Sequence, residues 1–189
     1  MDILIAGLGN PGSKYDGTRH NIGWDVLNYL DCFSQLQWRE KFKGLYASFD
    51  IQDKRIHFLK PLTFMNLSGQ SVSALMQFYK IELENILIIH DELDLPYGTI
   101  AFKNGGGLAG HNGLKSIAKD LASQDFLRLR MGIGRPVHGS VSHWVLSHYD
   151  EQQNVMLPDY FKKAAGAIEL FMSEGFQKAA SEYSKKQLI

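Results

Sequence analysis

The chain has 189 residues, enough for one domain with a substantial core, and its 20 basic residues balance its 20 acidic residues. This balance excludes a wholly basic nucleic-acid-binding surface, but it allows a local basic patch. The single cysteine, Cys32, excludes an intramolecular disulfide and fits a reducing compartment. We expect a cytoplasmic protein with no membrane contact, because the N-terminus lacks a signal-peptide pattern and no apolar run approaches the ~18 residues of a span.

The first half of the chain alternates predicted strands and helices. Residues 3–8 form a short apolar run that ends in glycines, which indicates a central strand buried on both faces. Residues 21–33 have helical spacing, residues 38–44 read as a connection, and residues 45–51 and 54–60 read as a β-hairpin. A second helix opens at about residue 66, and residues 85–90 form another buried strand that ends beside Asp91.

The second half continues this alternation. Residues 99–102 predict a short strand, residues 103–113 a glycine-rich loop, and residues 114–121 a helix. Residues 126–134 predict a strand, residues 151–171 and 175–183 two helices, and residues 184–189 a frayed tail. The pattern therefore predicts one α/β domain over residues 1–189. Its twisted mixed, largely parallel sheet is expected to be flanked by helices.

Polar side chains follow several predicted strands. Asn10 comes after the first strand, Asn66 after the hairpin, and Asp91 after the strand of residues 85–90. The carboxyl ends of parallel strands share one edge of an open sheet, which is where such folds bind ligands. His20 and Asn112 lie in segments that can fold over the same edge. The sequence therefore predicts a polar site there.

His20 is the best candidate for a general base. An imidazole titrates near neutral pH, and a carboxylate such as Asp91 can orient the ring and stabilise its charged form. The ordinary alternatives are a surface or helix-capping histidine and a turn or capping aspartate. We expect His90, the neighbour of Asp91, on the sheet surface. Composition alone does not distinguish His20 from the other six histidines.

The asparagines have both structural and chemical interpretations. Asn10, Asn66 and Asn112 each occupy positions typical of turns or helix caps. Their amides also suit a peptide-like group, since each offers donors and an acceptor, and one can donate to an oxyanion. The glycine-rich loop lacks a phosphate-binding fingerprint, the chain has no G-x-S-x-G elbow, and no spacing indicates a zinc site.

Basic residues are concentrated in one part of the chain. Between Leu95 and Pro136 six basic residues face two acidic ones, a net charge of +4. The basic residues are Lys103, Lys115, Lys119, Arg128, Arg130 and Arg135. Phosphate binding needs such a patch, although an ordinary solvated face has the same composition.

Five motifs occur in the order seen in bacterial-type peptidyl-tRNA hydrolases. They are GLGNPGSKYDGTRHNIG, PLTFMNLSGQSV, HDELDLPYG, KNGGGLAGHNGLKS and RLRMGIGRP. The chain resembles this family over nearly its whole length, more weakly after about Leu146. The resemblance implies a monomeric α/β enzyme without metal or cofactor. It also implies hydrolysis of the ester between a peptide and the 3′ end of tRNA.

The resemblance also implies roles for individual residues. His20 matches the family's catalytic histidine and Asp91 its supporting aspartate. Matches to residues around the reacting ester and the substrate cleft are Asn10, Tyr15, Met65, Asn66, His111 and Asn112. Lys103 and Arg130 match basic residues that hold the tRNA phosphate.

One loop departs from the family pattern. Residues 137–142 contain no fixed positive charge, whereas family members often carry lysine or arginine after the Arg-Pro pair. We therefore expect this loop to contribute little phosphate affinity. The main alternative function is a non-catalytic RNA-binding protein on the same fold, as in the plant organelle splicing-factor branch. A second alternative is an unrelated small-molecule hydrolase, which the Lys/Arg-rich face disfavours.

Overall fold

Eight strands form one mixed sheet in the order β2-β3-β4-β1-β5-β7-β6-β8 in the computed structural model, which describes residues 1–189. Their bounds are β1 Asp2–Gly7, β2 Arg39–Lys41, β3 Gly44–Ile51, β4 Lys54–Pro61, β5 Ile86–Glu92, β6 Thr99–Asn104, β7 Leu127–Gly132 and β8 Lys186–Gln187. The four central strands, β4, β1, β5 and β7, are parallel to one another, and the outer strands β2, β3, β6 and β8 pair antiparallel. The expected α/β class and mixed, largely parallel sheet are confirmed.

Helices cover both faces of this sheet. Their bounds are α1 Ile22–Val26, α2 Ser68–Tyr79, α3 Asn112–Leu121, α4 Val141–Val145, α5 Glu151–Glu174 and α6 Phe176–Glu182. Alternate side chains of β1 enter two cores. Ile3 and Ile5 pack with α1, α5 and α6, and Leu4 and Ala6 pack with α2 and α3. Both faces of β1 are therefore buried in hydrophobic cores, which explains its continuous apolar run. None of the helices combines the length and hydropathy needed to span a bilayer.

The helix predicted over residues 21–33 is much shorter in the structure. Only Ile22–Val26 is α-helical, and 3-10 turns precede and follow it at Arg19–Asn21 and Leu27–Tyr29. Gly23 packs against Gly7 at the end of β1 so closely that a Cβ at either residue would overlap the backbone of the other segment. Packing against the strand end therefore overrides the helical spacing of the sequence.

The C-terminal tail is also ordered rather than frayed. β8 pairs with β6 through Thr99 opposite Gln187, and the Leu188 amide donates to the Gly98 carbonyl over 2.8 Å. The tail supplies hydrogen-bond partners for the backbone groups at the edge of β6, and the local sequence does not predict this pairing. Two smaller differences lie elsewhere. Residues 39–41 form β2 rather than a connection, and Lys103 belongs to β6, so the glycine-rich loop spans residues 105–111.

Candidate active site

The buried His20 and Asp91 side chains meet at the carboxyl-terminal edge of the sheet. Nδ1 of His20 lies 2.8 Å from Oδ2 of Asp91. His20 sits in the 3-10 turn before α1, and Asp91 lies near the end of β5. The close approach of Gly7 and Gly23 brings that turn onto the strand ends. The ring donates from Nδ1, and Nε2 makes no hydrogen bond within the protein.

A second imidazole occupies the other oxygen of the same carboxylate. Nε2 of His111 lies 2.8 Å from Oδ1 of Asp91. Its Nδ1 accepts hydrogen bonds from the Gly113 and Leu114 amides at the start of α3. Because Nδ1 is an acceptor there, the proton of the neutral ring lies on Nε2 and is donated to Asp91. The carboxylate therefore receives two N–H donors and fixes both rings.

These contacts set the charge states of the pair. Burial by itself would lower the pKa of His20, but the charge and hydrogen bond of Asp91 outweigh it and raise that pKa above its ordinary value. Burial alone would raise the pKa of Asp91, yet its two imidazole neighbours hold that pKa far below its ordinary value. Asp91 is therefore ionised at neutral pH, and the pKa of His20 lies above that of an unperturbed imidazole.

The same three side chains resemble a metal-binding group, since their ligand atoms lie within 4.8 Å of one another. A neutral imidazole has one lone pair, and His111 already directs its own at two amides through Nδ1. Coordination through His111 Nε2 would require loss of this cap or formation of an imidazolate. The three side chains are therefore better arranged for hydrogen bonds between the imidazoles and the carboxylate than for binding a metal ion.

Asn10 is held rigidly next to His20. Its main-chain N–H and C=O both bond to the Asn21 side-chain amide, over 2.8 and 3.0 Å. Its Oδ1 accepts the Met65 amide hydrogen over 2.7 Å, which joins the loops after β1 and β4. The group left free on Asn10 is the Nδ2 donor. Asn66 and Asn112, in contrast, are exposed and form no side-chain hydrogen bonds within the protein.

Two cavities share His20 and Asn112 in their walls. The first, which we name the amide groove, has a volume of about 440 Å³ and lies on the β1 and β4 side. It is lined by Asn10, Tyr15, His20, Phe64, Met65, Asn66, Asn112, Ser142, Val145 and Leu146. The second, the His90 cavity, has a volume of about 130 Å³ and lies on the β5 and β7 side, beneath the glycine-rich loop. Asp91 and His111 border this second cavity.

The structure therefore brings together eight of the ten predicted site residues. The other two, Lys103 and Arg130, line neither cavity and lie on β6 and β7 beyond the His90 cavity. Arg130 stands opposite His90 in the β5–β7 register, and its Nη1 is 3.8 Å from Glu92 Oε1. Lys103 stands opposite Arg128 in the β6–β7 register. Amides thus lie on one flank of His20, and cations lie on the other.

Two side chains differ from the sequence-based expectations. Arg128, counted in the basic patch, is 2% exposed and donates to the Gly105 and Gly107 carbonyls. It holds the glycine-rich loop instead of presenting charge to solvent. His90, expected on the sheet surface, is also 2% exposed because that loop covers it. The sequence predicted the face of the sheet on which His90 lies, but it did not show that a loop covers this face.

Arg19 is a structural residue that the sequence did not single out. Its guanidinium stacks 3.5 Å from the centre of the Trp144 ring and donates to Ser147 Oγ and the His148 carbonyl, each over 2.6 Å. These contacts fasten the segment around α4 to the turn that carries His20. α4 thereby supplies the Ser142 and Val145 walls of both cavities. In the sequence, only the position of Arg19 next to His20 could have indicated this structural role.

Comparisons with known proteins agree with one another. The model of the family described as "Peptidyl-tRNA hydrolase" matches residues 4–189. A peptidyl-tRNA hydrolase of Geotalea uraniireducens is 46% identical over 187 residues, 98% of each chain, and one of Listeria innocua is 41% identical over 96% of this chain and 99% of its own. The crystal structure of peptidyl-tRNA hydrolase from Acinetobacter baumannii superposes with a TM-score of 0.89 at 37% identity, covering 99% of this chain and 96% of that one. The chain therefore belongs to the peptidyl-tRNA hydrolase family of ester hydrolases.

Proposed function

We propose that the chain hydrolyses the ester between an N-blocked aminoacyl or peptidyl group and the 3′ end of tRNA, which frees the tRNA for reuse in translation. The observation that carries this proposal is the position of His20. His20 lines two cavities and its Nε2 makes no hydrogen bond within the protein, with neutral amides on one flank and Lys103 and Arg130 on the other. Such a site accommodates a neutral acyl chain and a polyanion on opposite sides of one ester.

His20 acts as the general base. With Nδ1–H committed to Asp91, its Nε2 takes a proton from a water held near Asn112. The resulting hydroxide attacks the ester carbonyl. When the tetrahedral intermediate collapses, the tRNA 3′ oxygen leaves and receives a proton from the imidazolium or from water. The products are a peptide with a free carboxylate and a tRNA with a free hydroxyl, and no covalent enzyme intermediate forms.

Each asparagine contacts the substrate through the side-chain atoms that make no hydrogen bond within the protein. Asn10 presents only Nδ2, because its oxygen is bonded to the Met65 amide, so it donates to the ester or peptide carbonyl as negative charge develops. Asn66 has both its oxygen and its nitrogen free and accepts from a peptide N–H. This neutral groove desolvates a free α-ammonium poorly, which disfavours simple aminoacyl-tRNA.

The cations on the opposite flank bind the tRNA backbone. Lys103 and Arg130 lie on β6 and β7, within residues 95–136, where six basic residues face two acidic ones. Phosphate neutralisation by such residues gives sequence-independent affinity that weakens with salt. The partner on this flank is the acceptor end of tRNA.

Purified protein incubated with N-acetyl-aminoacyl-tRNA and with free aminoacyl-tRNA, each with and without chelator, tests the proposal. We expect hydrolysis of the N-acetylated substrate only, unaffected by chelator. His20→Ala should lower the rate by about 10³-fold, the typical value of a general base, while tRNA binding persists. His143→Ala is the matched control, since His143 is exposed on α4 and borders neither cavity. Binding without hydrolysis by the unmodified protein would instead favour the RNA-binding alternative, and hydrolysis retained in His20→Ala would refute the assigned base.

A further inference from the structure

The short helix α4 is held in place by little hydrophobic burial of its own. None of its five residues is buried, although Trp144 and Val145 pack against the larger core while partly exposed. Main-chain pairing with the turn that carries His20 begins only after α4, at Ser147 and His148. The orientation of α4 therefore depends on side-chain contacts with other segments.

Arg19 supplies such contacts from the turn beside His20. Its guanidinium lies 3.5 Å from the centre of the Trp144 ring, and the residue is 3% exposed. It also donates to Ser147 Oγ over 2.6 Å, and that hydroxyl donates in turn to the Trp144 carbonyl over 2.6 Å. A further bond to Gln153 Oε1, over 2.9 Å, anchors the guanidinium at the start of α5. One buried arginine thus holds both the ring and the carbonyl of Trp144.

The Trp144 ring also links this arginine to the far end of the cleft. Its indole N–H donates to the Gly134 carbonyl over 2.8 Å, in the segment that follows β7. α4 is therefore suspended between the turn that carries His20 and the end of β7. Loss of the Arg19 contacts leaves the Gly134 bond as the remaining hydrogen bond of this ring.

α4 and the residue after it provide apolar surface to the amide groove. Val145 and Leu146 line the groove, and its other apolar residues, Tyr15, Phe64 and Met65, come from the segments after β1 and β4. Leu146 is 43% exposed, so part of its side chain is available to a ligand. No Asp, Glu, Lys or Arg side chain lines the groove. Besides its amides, the groove therefore offers apolar contact to the side chain of an acyl group.

We propose that Arg19 is a positioning residue that sets the acyl-group preference of the amide groove, because it holds Val145 and Leu146 against the side chain of the aminoacyl residue next to the ester. This inference rests on the proposed function, which places the acyl group in that groove. Arg19 lines neither cavity, so it acts through α4 and not by contact with the substrate. A loosened α4 withdraws apolar surface from a large acyl side chain and leaves a small one unaffected.

Two acyl groups of different size, N-acetyl-leucyl and N-acetyl-glycyl, carried by the same tRNA, measure this preference. For the unmodified protein we expect kcat/KM to be about tenfold higher for the leucyl substrate, the value of partial burial of one apolar side chain. In Arg19→Met the preference should disappear through a higher KM for the leucyl substrate, with kcat little changed. Arg55→Met is the matched control and should keep the preference, since Arg55 pairs with Asp50 on the surface.

The ratio of the two substrates separates positioning from a loss of stability. General destabilisation lowers the rates on both substrates equally and leaves their ratio unchanged. Leu146→Ala should remove the preference directly, and addition of Arg19→Met to this variant should change the ratio no further. If Arg19→Met fails to fold, Ser147→Ala tests the same link, because it removes only the hydroxyl between Arg19 and the Trp144 carbonyl. The preference should then weaken.

Other outcomes overturn the inference. Equal kcat/KM for the two substrates with the unmodified protein would mean that α4 does not contact the acyl side chain. A full preference in Arg19→Met, or in Ser147→Ala where the first variant does not fold, would remove the role of Arg19. Failure of the proposed function is distinguishable, because the unmodified protein would then hydrolyse neither substrate.

Discussion

At the scale of single residues, the carboxylate of Asp91 governs the site because it receives a donor from each of two imidazoles. An acceptor-only group with two oxygens is well suited to this arrangement. It orients His20 and raises its pKa, and it also fixes His111, which caps α3 with its other nitrogen. The position of the Asn112 segment and the charge state of the proposed base therefore depend on one side chain.

Replacing Asp91 should alter both the rate and its pH dependence. His20 must be neutral to act as a base, so kcat/KM falls as pH drops through its pKa, which Asp91 raises. In Asp91→Asn only burial remains, and burial lowers that pKa. We expect kcat to fall by about 10²–10⁴-fold and the acid limb of the pH–rate profile to move to lower pH. Initial rates on N-acetyl-aminoacyl-tRNA across pH 5–8 measure both effects.

Asp94→Asn is the matched control for this change. Asp94 is a nearby carboxylate that is more than half exposed and pairs with Arg135 outside both cavities. Its profile should match that of the unmodified protein. An acid limb that stays in place in Asp91→Asn would contradict the assignment of His20 as the titrating base.

At the scale of elements, strand β7 carries two arginines with different tasks. Arg128 and Arg130 are two residues apart and lie on the same face of the sheet. Arg128 lies under the glycine-rich loop and donates to two of its carbonyls. Arg130, with 17% of its side chain exposed and only a 3.8 Å contact to Glu92, keeps its charge available. One anchors the loop, and the other is proposed to bind phosphate.

Parallel methionine substitutions separate these tasks. Arg128→Met leaves two loop carbonyls without their donor and should lower the free energy of unfolding by about 3 kcal/mol. Arg130→Met should lower it by about 1 kcal/mol or less, but it should raise KM for the tRNA substrate. Denaturant unfolding and steady-state kinetics on both variants provide the measurement. Equal loss of stability in the two variants would refute the distinction.

At the scale of the whole molecule, sheet order segregates the charges of a chain whose net charge is zero. β4 and β1 lead into Asn66 and Asn10, β5 ends at the His20–Asp91 pair, and β7 and β6 carry Arg130 and Lys103. The amide groove, the proposed base and the cations therefore follow one another in strand order across the sheet. In the proposed function, this order would orient the substrate, with the acyl group at one end and the tRNA at the other.

The direction of binding predicts a salt effect confined to one flank. Lys103→Ala removes one phosphate contact and should reduce the slope of log K against log salt for tRNA binding by about one. Lys178→Ala is the matched control, because it removes the same charge from α6, where Lys178 pairs with Glu182. Titrations of tRNA at several salt concentrations give the two slopes. Identical slopes in both variants would place the tRNA elsewhere on the surface.

The sequence by itself determined the class of the fold and the order of its parts. Apolar runs such as β1 and β5 are visible locally because strands buried on both faces need continuous hydrophobicity. Polar residues after those strands could be assigned to one sheet edge, since parallel strand ends coincide there. The motif order then indicated the family, and it singled out His20 among seven histidines.

Only the tertiary structure decided which polar groups are buried and which partners they have. Arg128 and Arg130 are indistinguishable by pattern, and the loop that covers one of them comes from a distant segment. The helix expected at residues 21–33 is cut short by the contact between Gly7 and Gly23, and the tail is ordered by the edge of β6. Each of these outcomes depends on packing between segments that are distant in the sequence. The free energy of this packing exceeds the local preference for helix or strand, and it produces no periodic pattern in the sequence.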